Sequence, residues 1–157
     1  MVMSLLMASL VQPSLAWHKV LSPDIRGLQV VMGDDFEALP VLRKGSGDVL
    51  TIGFDELSHN YHRYTYRLEP CNPDWTPVEG LFESDWLRGF NGQPIDDYIN
   101  SVNTTTLYTH YRLRFPNADC RPKMSGNYRL YITDDDTSED VIIVELRVVE
   151  PLMNVGL

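Results

Sequence analysis

The sequence predicts an all-β fold, an immunoglobulin-like antiparallel β-sandwich of about seven strands with a long aromatic-rich insertion. Three observations carry that reading. From Gly27 onward apolar residues recur at every second position in short runs, and no stretch sustains a 3.6-residue period. Clusters of turn-forming residues separate the runs, among them Gly45-Ser46-Gly47, Ser58-His59-Asn60 and the acidic segment from Asp134 to Asp140. Finally, Ser125-Gly126-Asn127-Tyr128-Arg129-Leu130 has the form of a tyrosine corner, in which Gly126 precedes the sixth strand and the Tyr128 hydroxyl bonds back to nearby backbone.

Residues 1–16 stand apart because they carry no charge. Leu5-Leu6-Met7-Ala8-Ser9-Leu10-Val11 is too short to span a bilayer, Pro13 breaks a helix there, and Ser14 and Ala16 are small enough for a peptidase site. The segment reads as the remnant of a signal peptide whose basic start lies upstream; the alternative is an N-terminal strand or helix docked on the core. The residue directly after Ala16 is Trp17 and not Cys, so a lipoprotein anchor has no attachment point there. The sandwich is expected over residues 17–150, and 151–157 reads as the start of a following segment.

Within the sandwich, Asp48 to Leu57 places Leu50, Ile52 and Phe54 on one face and Thr51 and Asp55 on the other. His62 to Leu68 sends Tyr64, Tyr66 and Leu68 inward and leaves Arg63, Thr65 and Arg67 in water. Leu107 to Phe115 sets Leu107, Tyr111, Leu113 and Phe115 against Tyr108, His110, Arg112 and Arg114. Asn127 to Thr133 contributes Tyr128, Leu130 and Ile132, and Val141 to Val149 contributes Ile142, Val144, Leu146 and Val148. Strands with one apolar and one polar face belong in antiparallel sheets. Between Cys71 and Thr106, turn residues alternate with Trp75, Trp86, Leu87, Phe90 and Ile95, so this stretch is expected to pack on the sandwich and to form an edge strand near Asp97 to Val102.

The chain has 157 residues, 43% of them apolar, which suits one domain with a core of its own. Thirteen basic residues against 22 acidic ones give a net charge of −9, which argues against nucleic acid and against anionic lipid surfaces. Cys71 and Cys120 are the only cysteines. The segment after Leu68 and the loop after Phe115 emerge at the same end of an immunoglobulin-like sandwich, so the two are expected to form a disulfide in an oxidising compartment.

Sites of chemistry are sparse. His59, His62 and His110 have no spacing that makes them converge on zinc, and Asp134 to Asp140 lacks the glycine and spacing of a calcium loop, so no metal site and no cofactor is expected. There is no Gly-x-Ser-x-Gly elbow and no Cys–His pattern, and pairs such as Asp96-Asp97 are common by chance in an acidic chain, so no catalytic residues are assigned. Asn103-Thr104-Thr105 matches a glycosylation sequon but reads as a turn. Trp75, Trp86, Leu87 and Phe90 are the candidates for a partner-binding surface, since aromatic side chains supply most binding hot spots; the competing reading makes them core at one end of the sandwich.

Between Tyr64 and Ile132 five short motifs follow one another: Tyr64-Thr65-Tyr66 leading to Cys71-Asn72-Pro73-Asp74-Trp75; Trp86-Leu87-Arg88-Gly89-Phe90; Ile95-Asp96-Asp97-Tyr98 with Ser101 and Asn103-Thr104; Tyr108-Thr109-His110-Tyr111 to Phe115-Pro116-Asn117; and Ser125-Gly126-Asn127-Tyr128. In this order they resemble the N-terminal domain of the type IX secretion system plug protein family. The resemblance implies a non-enzymatic periplasmic component, associated with the outer membrane, that closes the periplasmic mouth of the translocon barrel. Its implied partner is that barrel, with no membrane span of its own. The alternative is a carbohydrate-binding or accessory sandwich domain of an exported protein.

Overall fold

The computed structural model describes residues 18–58 and 60–151. The expected signal remnant, His59 and the tail 152–157 lie outside the described residues. Twelve strands and one helical turn follow in order: β1 Lys19–Val20, β2 Ile25–Met32, β3 Val41–Arg43, β4 Leu50–Glu56, β5 Tyr64–Cys71, α1 Glu83–Trp86, β6 Leu87–Gly89, β7 Gln93–Pro94, β8 Tyr98–Asn100, β9 Thr109–Phe115, β10 Cys120–Pro122, β11 Gly126–Asp134 and β12 Glu139–Val149.

Two sheets make the sandwich. One runs β12-β11-β5-β7, with β1 antiparallel and β3 parallel along the free side of β12; the other runs β2-β4-β9-β8. The chain crosses from β4 to β5, returns through β8 and β9, and crosses again to the β11–β12 hairpin. That partition of strands is the one immunoglobulin-like domains use. A separate antiparallel ribbon joins β6 to β10.

The period-two alternation sets the core. Leu50, Ile52 and Phe54 of β4 face Tyr64, Tyr66 and Leu68 of β5 across the sandwich, together with Tyr111, Leu113 and Phe115 of β9 and Tyr128, Leu130 and Ile132 of β11, all within one buried cluster. Phe54, Tyr64 and Tyr111 form an aromatic knot, with ring centroids 4.9 to 5.3 Å apart. The tyrosine corner is formed: Tyr128 is buried and its hydroxyl donates to the Met124 carbonyl at 2.8 Å, while Gly126 opens β11 opposite Val148. The edge strand expected near Asp97 to Val102 is β8, paired with β9.

Two expectations change. Leu107 is 48% exposed, because β9 begins only at Thr109, and it is Thr109 that occupies the inward position, with its hydroxyl bonded to Asn100 Oδ1 at 3.0 Å. The Cys71–Cys120 disulfide is not formed; both residues are buried free thiols. Their placement explains this. Cys71 shares the pleat parity of Arg67 and Glu69, so it lies on the outer face of its sheet, with Sγ toward the Glu69 carbonyl. Cys120 belongs to the central core between the sheets, so the sheet itself separates the two sulfurs.

The insertion is bound to the β5 edge of the first sheet. Gly92 and Ile95 donate their N–H groups to the Tyr66 and Tyr64 carbonyls, and Asn91 acts as a side-chain substitute for a strand, accepting the Leu68 N–H at 2.8 Å and donating to its carbonyl at 3.0 Å. The ribbon is closer still: at Gly89, whose φ is 92°, an added Cβ would lie 1.8 Å from the Asp119 carbonyl oxygen. Only a residue without a side chain permits that approach.

Candidate functional site

The four residues expected to meet a partner divide between core and surface. Trp86 and Leu87 are 5% and 3% exposed, and Trp86 packs on Tyr128 with ring centroids 6.0 Å apart. As docking residues these two are corrected to core, since α1 and β6 turn their side chains onto the end of the sandwich. Phe90 is 73% exposed, and Phe82, which was not among the expected docking residues, is 78% exposed. Phe82 immediately precedes α1 and Phe90 immediately follows β6, and hydrogen bonds brace this segment at both ends. Glu83 receives the Asn91 backbone and side-chain N–H groups at 3.1 Å each, and Asp85 receives the Phe82 N–H at 3.1 Å. No periodic signal marks Phe82, because the segment around it has no regular pairing.

Trp75 is half-buried against the outer face of the first sheet. Its ring lies 6.0 Å from the Arg129 guanidinium and 5.9 Å from that of Arg147. The same face carries Arg67 over the Tyr131 ring at 4.1 Å, Arg67 paired with Asp140, Arg129 with Glu145 at 2.9 Å, and the Tyr131 hydroxyl donating to Glu69 at 2.9 Å. The hydrogen bonds from Arg67 hold the Asp140 carboxyl below its ordinary range. Burial raises the Cys71 thiol and pushes the Cys120 thiol up to about 12, so neither has the exposed thiolate of a reactive cysteine. A flat row of exposed tryptophans, which sugar stacking requires, is not formed by the described Trp75 and Trp86. The depression on the outer face of the second sheet is lined by polar residues such as Gln29, Thr51, His110 and Arg112, with Phe36 the one aromatic among its lining residues.

A second apolar area surrounds the β8 edge, where Ile99 and Val102 are 63% and 76% exposed. Tyr61 leans on Tyr98 there at 5.1 Å between centroids.

The histidines separate. His110 pairs with Asp55 at 2.6 Å on the outer face of the second sheet. His62 meets the acidic hairpin instead, with Nδ1 3.2 Å from Asp134 Oδ2 and Nε2 2.9 Å from Ser58 Oγ. The order Ser58–His62–Asp134 is that of a hydrolytic triad. Acyl transfer needs the N–H beside the nucleophile to receive an oxyanion, but here the Ser58 N–H is already given to the Glu56 carboxyl at 2.8 Å. An acidic group in the place of the oxyanion opposes the charge that would develop, so the array does not support that chemistry.

Comparison with known proteins adds the following. The family model described as type 9 secretion system plug protein 1st domain matches residues 25–150. A crystal structure of a hypothetical protein from Parabacteroides merdae superposes with a TM-score of 0.81 at 36% identity, over 89% of this chain and 35% of that one. The chain thus spans about a third of the length of that relative. Comparison with the curated proteins gave no match.

Proposed function

The chain belongs to the type 9 secretion system plug protein 1st domain family, and from that premise we propose that it acts in the periplasm as the first domain of the plug that closes the outer-membrane translocon barrel. The observation that supports this most is the extent of the family match, which runs from the start of β2 to the residue after β12 and so takes in every strand of the sandwich except the short β1. The role is one of protein contact rather than catalysis. A domain that docks needs a rigid mount and a few large side chains at its surface. Phe82 and Phe90, at the two ends of the braced α1–β6 segment, meet that need, with Trp75 as a lesser contributor.

The test is affinity purification of the gene's own product, tagged in its native host. Recovery of an outer-membrane barrel of the secretion system is expected, and Phe82→Ser with Phe90→Ser should lower that recovery while the far-ultraviolet spectrum of the domain is unchanged. Absence of any outer-membrane barrel from the wild-type eluate refutes the plug reading. Full recovery with the double variant moves the contact surface away from the insertion.

A further inference from the structure

At the pole of the sandwich where β4 gives way to β5, both sheets end their inward rows on an acid. Glu56 continues the row of Leu50, Ile52 and Phe54, and Asp134 continues that of Tyr128, Leu130 and Ile132; the two are 1% and 7% exposed. His62 lies in the segment joining the sheets, its Nδ1 3.2 Å from Asp134 Oδ2 and 4.0 Å from Asp136 Oδ2. Ser58 holds the other ring nitrogen and gives its N–H to Glu56 Oε1. Glu56 Oε2 is buried with no hydrogen-bond partner among the described residues. Enclosing such an oxygen is costly unless something compensates it. Among the described residues no Lys or Arg forms an ion pair with Glu56 or Asp134.

We propose that this pole binds one divalent transition-metal ion of the zinc type, through His62 Nδ1, Asp134 Oδ2 and Asp136 Oδ2, with water in the fourth position. The three ligand atoms already lie within 4.8 Å of one another. Tetrahedral ligands about 2.0–2.2 Å from zinc stand about 3.3–3.6 Å apart. The 3.2 Å pair therefore meets the requirement as it stands, and the 4.0 Å pair closes by rotation of Asp136, whose side chain is 70% exposed. A mixed imidazole and carboxylate set favours zinc over calcium or magnesium, which prefer oxygen alone. With the metal on Nδ1 the ring proton sits on Nε2, where the Ser58 hydroxyl, 2.9 Å away, can accept it, the outer-sphere support that ligating histidines usually have. Without metal, Nδ1 donates to the Asp134 carboxylate; binding replaces that hydrogen bond, the ring giving up its Nδ1 proton to solvent and keeping or taking up one at Nε2, so that it ligates as neutral imidazole. The ion ties the β11–β12 hairpin to the segment before β5.

The test uses the tag-free full chain, stripped with chelator and titrated calorimetrically with zinc chloride and, separately, calcium chloride. The wild type and His110→Gln are expected to bind a single zinc ion per chain. His62→Gln and Asp136→Asn should weaken that binding more than about tenfold, the least that even outer-sphere losses commonly cost. Zinc should raise the melting temperature of the wild type and not that of Asp136→Asn. Because Asp136 is exposed, its variant tests the site even if His62→Gln fails to fold. No stoichiometric zinc binding, equal affinity in the wild type and Asp136→Asn, or tighter binding of calcium than of zinc would each overturn the proposal.

Discussion

Replacing Gly89 with alanine tests how the insertion is attached. An added Cβ would stand 1.8 Å from the Asp119 carbonyl oxygen and 2.5 Å from its carbon. That carbonyl cannot retreat freely, because it accepts the Phe90 N–H at 3.0 Å and the next residue, Cys120, is fully buried. Holding an L-residue at positive φ costs about 1–2 kcal/mol, and parting β6 from β10 adds an overpacking cost of about 1–3 kcal/mol. Gly89→Ala should therefore destabilise the domain by about 2–5 kcal/mol. Gly92→Ala separates the two contributions: its φ is 80°, but nothing lies within 4 Å of the added Cβ. It should show the backbone cost alone. Urea unfolding followed by tryptophan fluorescence reports the difference, since Trp86 is buried beside the ribbon. Equal destabilisation by the two variants would refute the close approach, and with it the account of how the ribbon is built.

Tyr128→Phe should cost about 0.5–1.5 kcal/mol, since it removes the part-buried hydrogen bond from the Tyr128 hydroxyl to the Met124 carbonyl; a change below about 0.5 kcal/mol in the urea midpoint analysis would show the tyrosine corner to be energetically idle. Thiol titration with a chromogenic disulfide at pH 8 should find Cys120 unreactive in the native protein and two thiols after denaturation, whereas no thiols after denaturation would mean that the cysteines had been oxidised. The same burial makes stability fall with alkali: the folded thiol keeps its proton up to about 12, the unfolded one releases it from about 8.5, so the contribution is full below about pH 8.5 and is lost as pH rises toward 12. Asp140 works in the opposite direction. Its folded pKa is depressed by Arg67, so its contribution is present above about pH 4 and declines as pH falls through the lower folded value; Asp140→Asn should remove part of the acid-induced loss, and an unchanged acid profile would deny the pair a role.

Much of the sandwich was legible in the chain itself. Alternation at period two follows from the pleat of a strand, a property of neighbouring residues, so the inward rows of β4, β5, β9, β11 and β12 could be read without knowing what they face. The corner at Tyr128 was legible for the same reason, since its hydroxyl reaches only four residues back. Even the separation of the cysteines had a local sign: Cys71 continues the outward row of Arg67 and Glu69. Tertiary structure alone decided the rest. In the irregular insertion no period distinguishes Trp86 and Leu87, which fill the end of the core, from Phe82 and Phe90, which stand in solvent. The meeting of His62 with Asp134 depends on the pairing of Tyr64 with Asp134, a register between strands far apart in sequence. Side-chain parity is set by local backbone geometry, whereas which distant polar groups share a pole is set by the stacking of two sheets, and no short stretch of sequence contains that information.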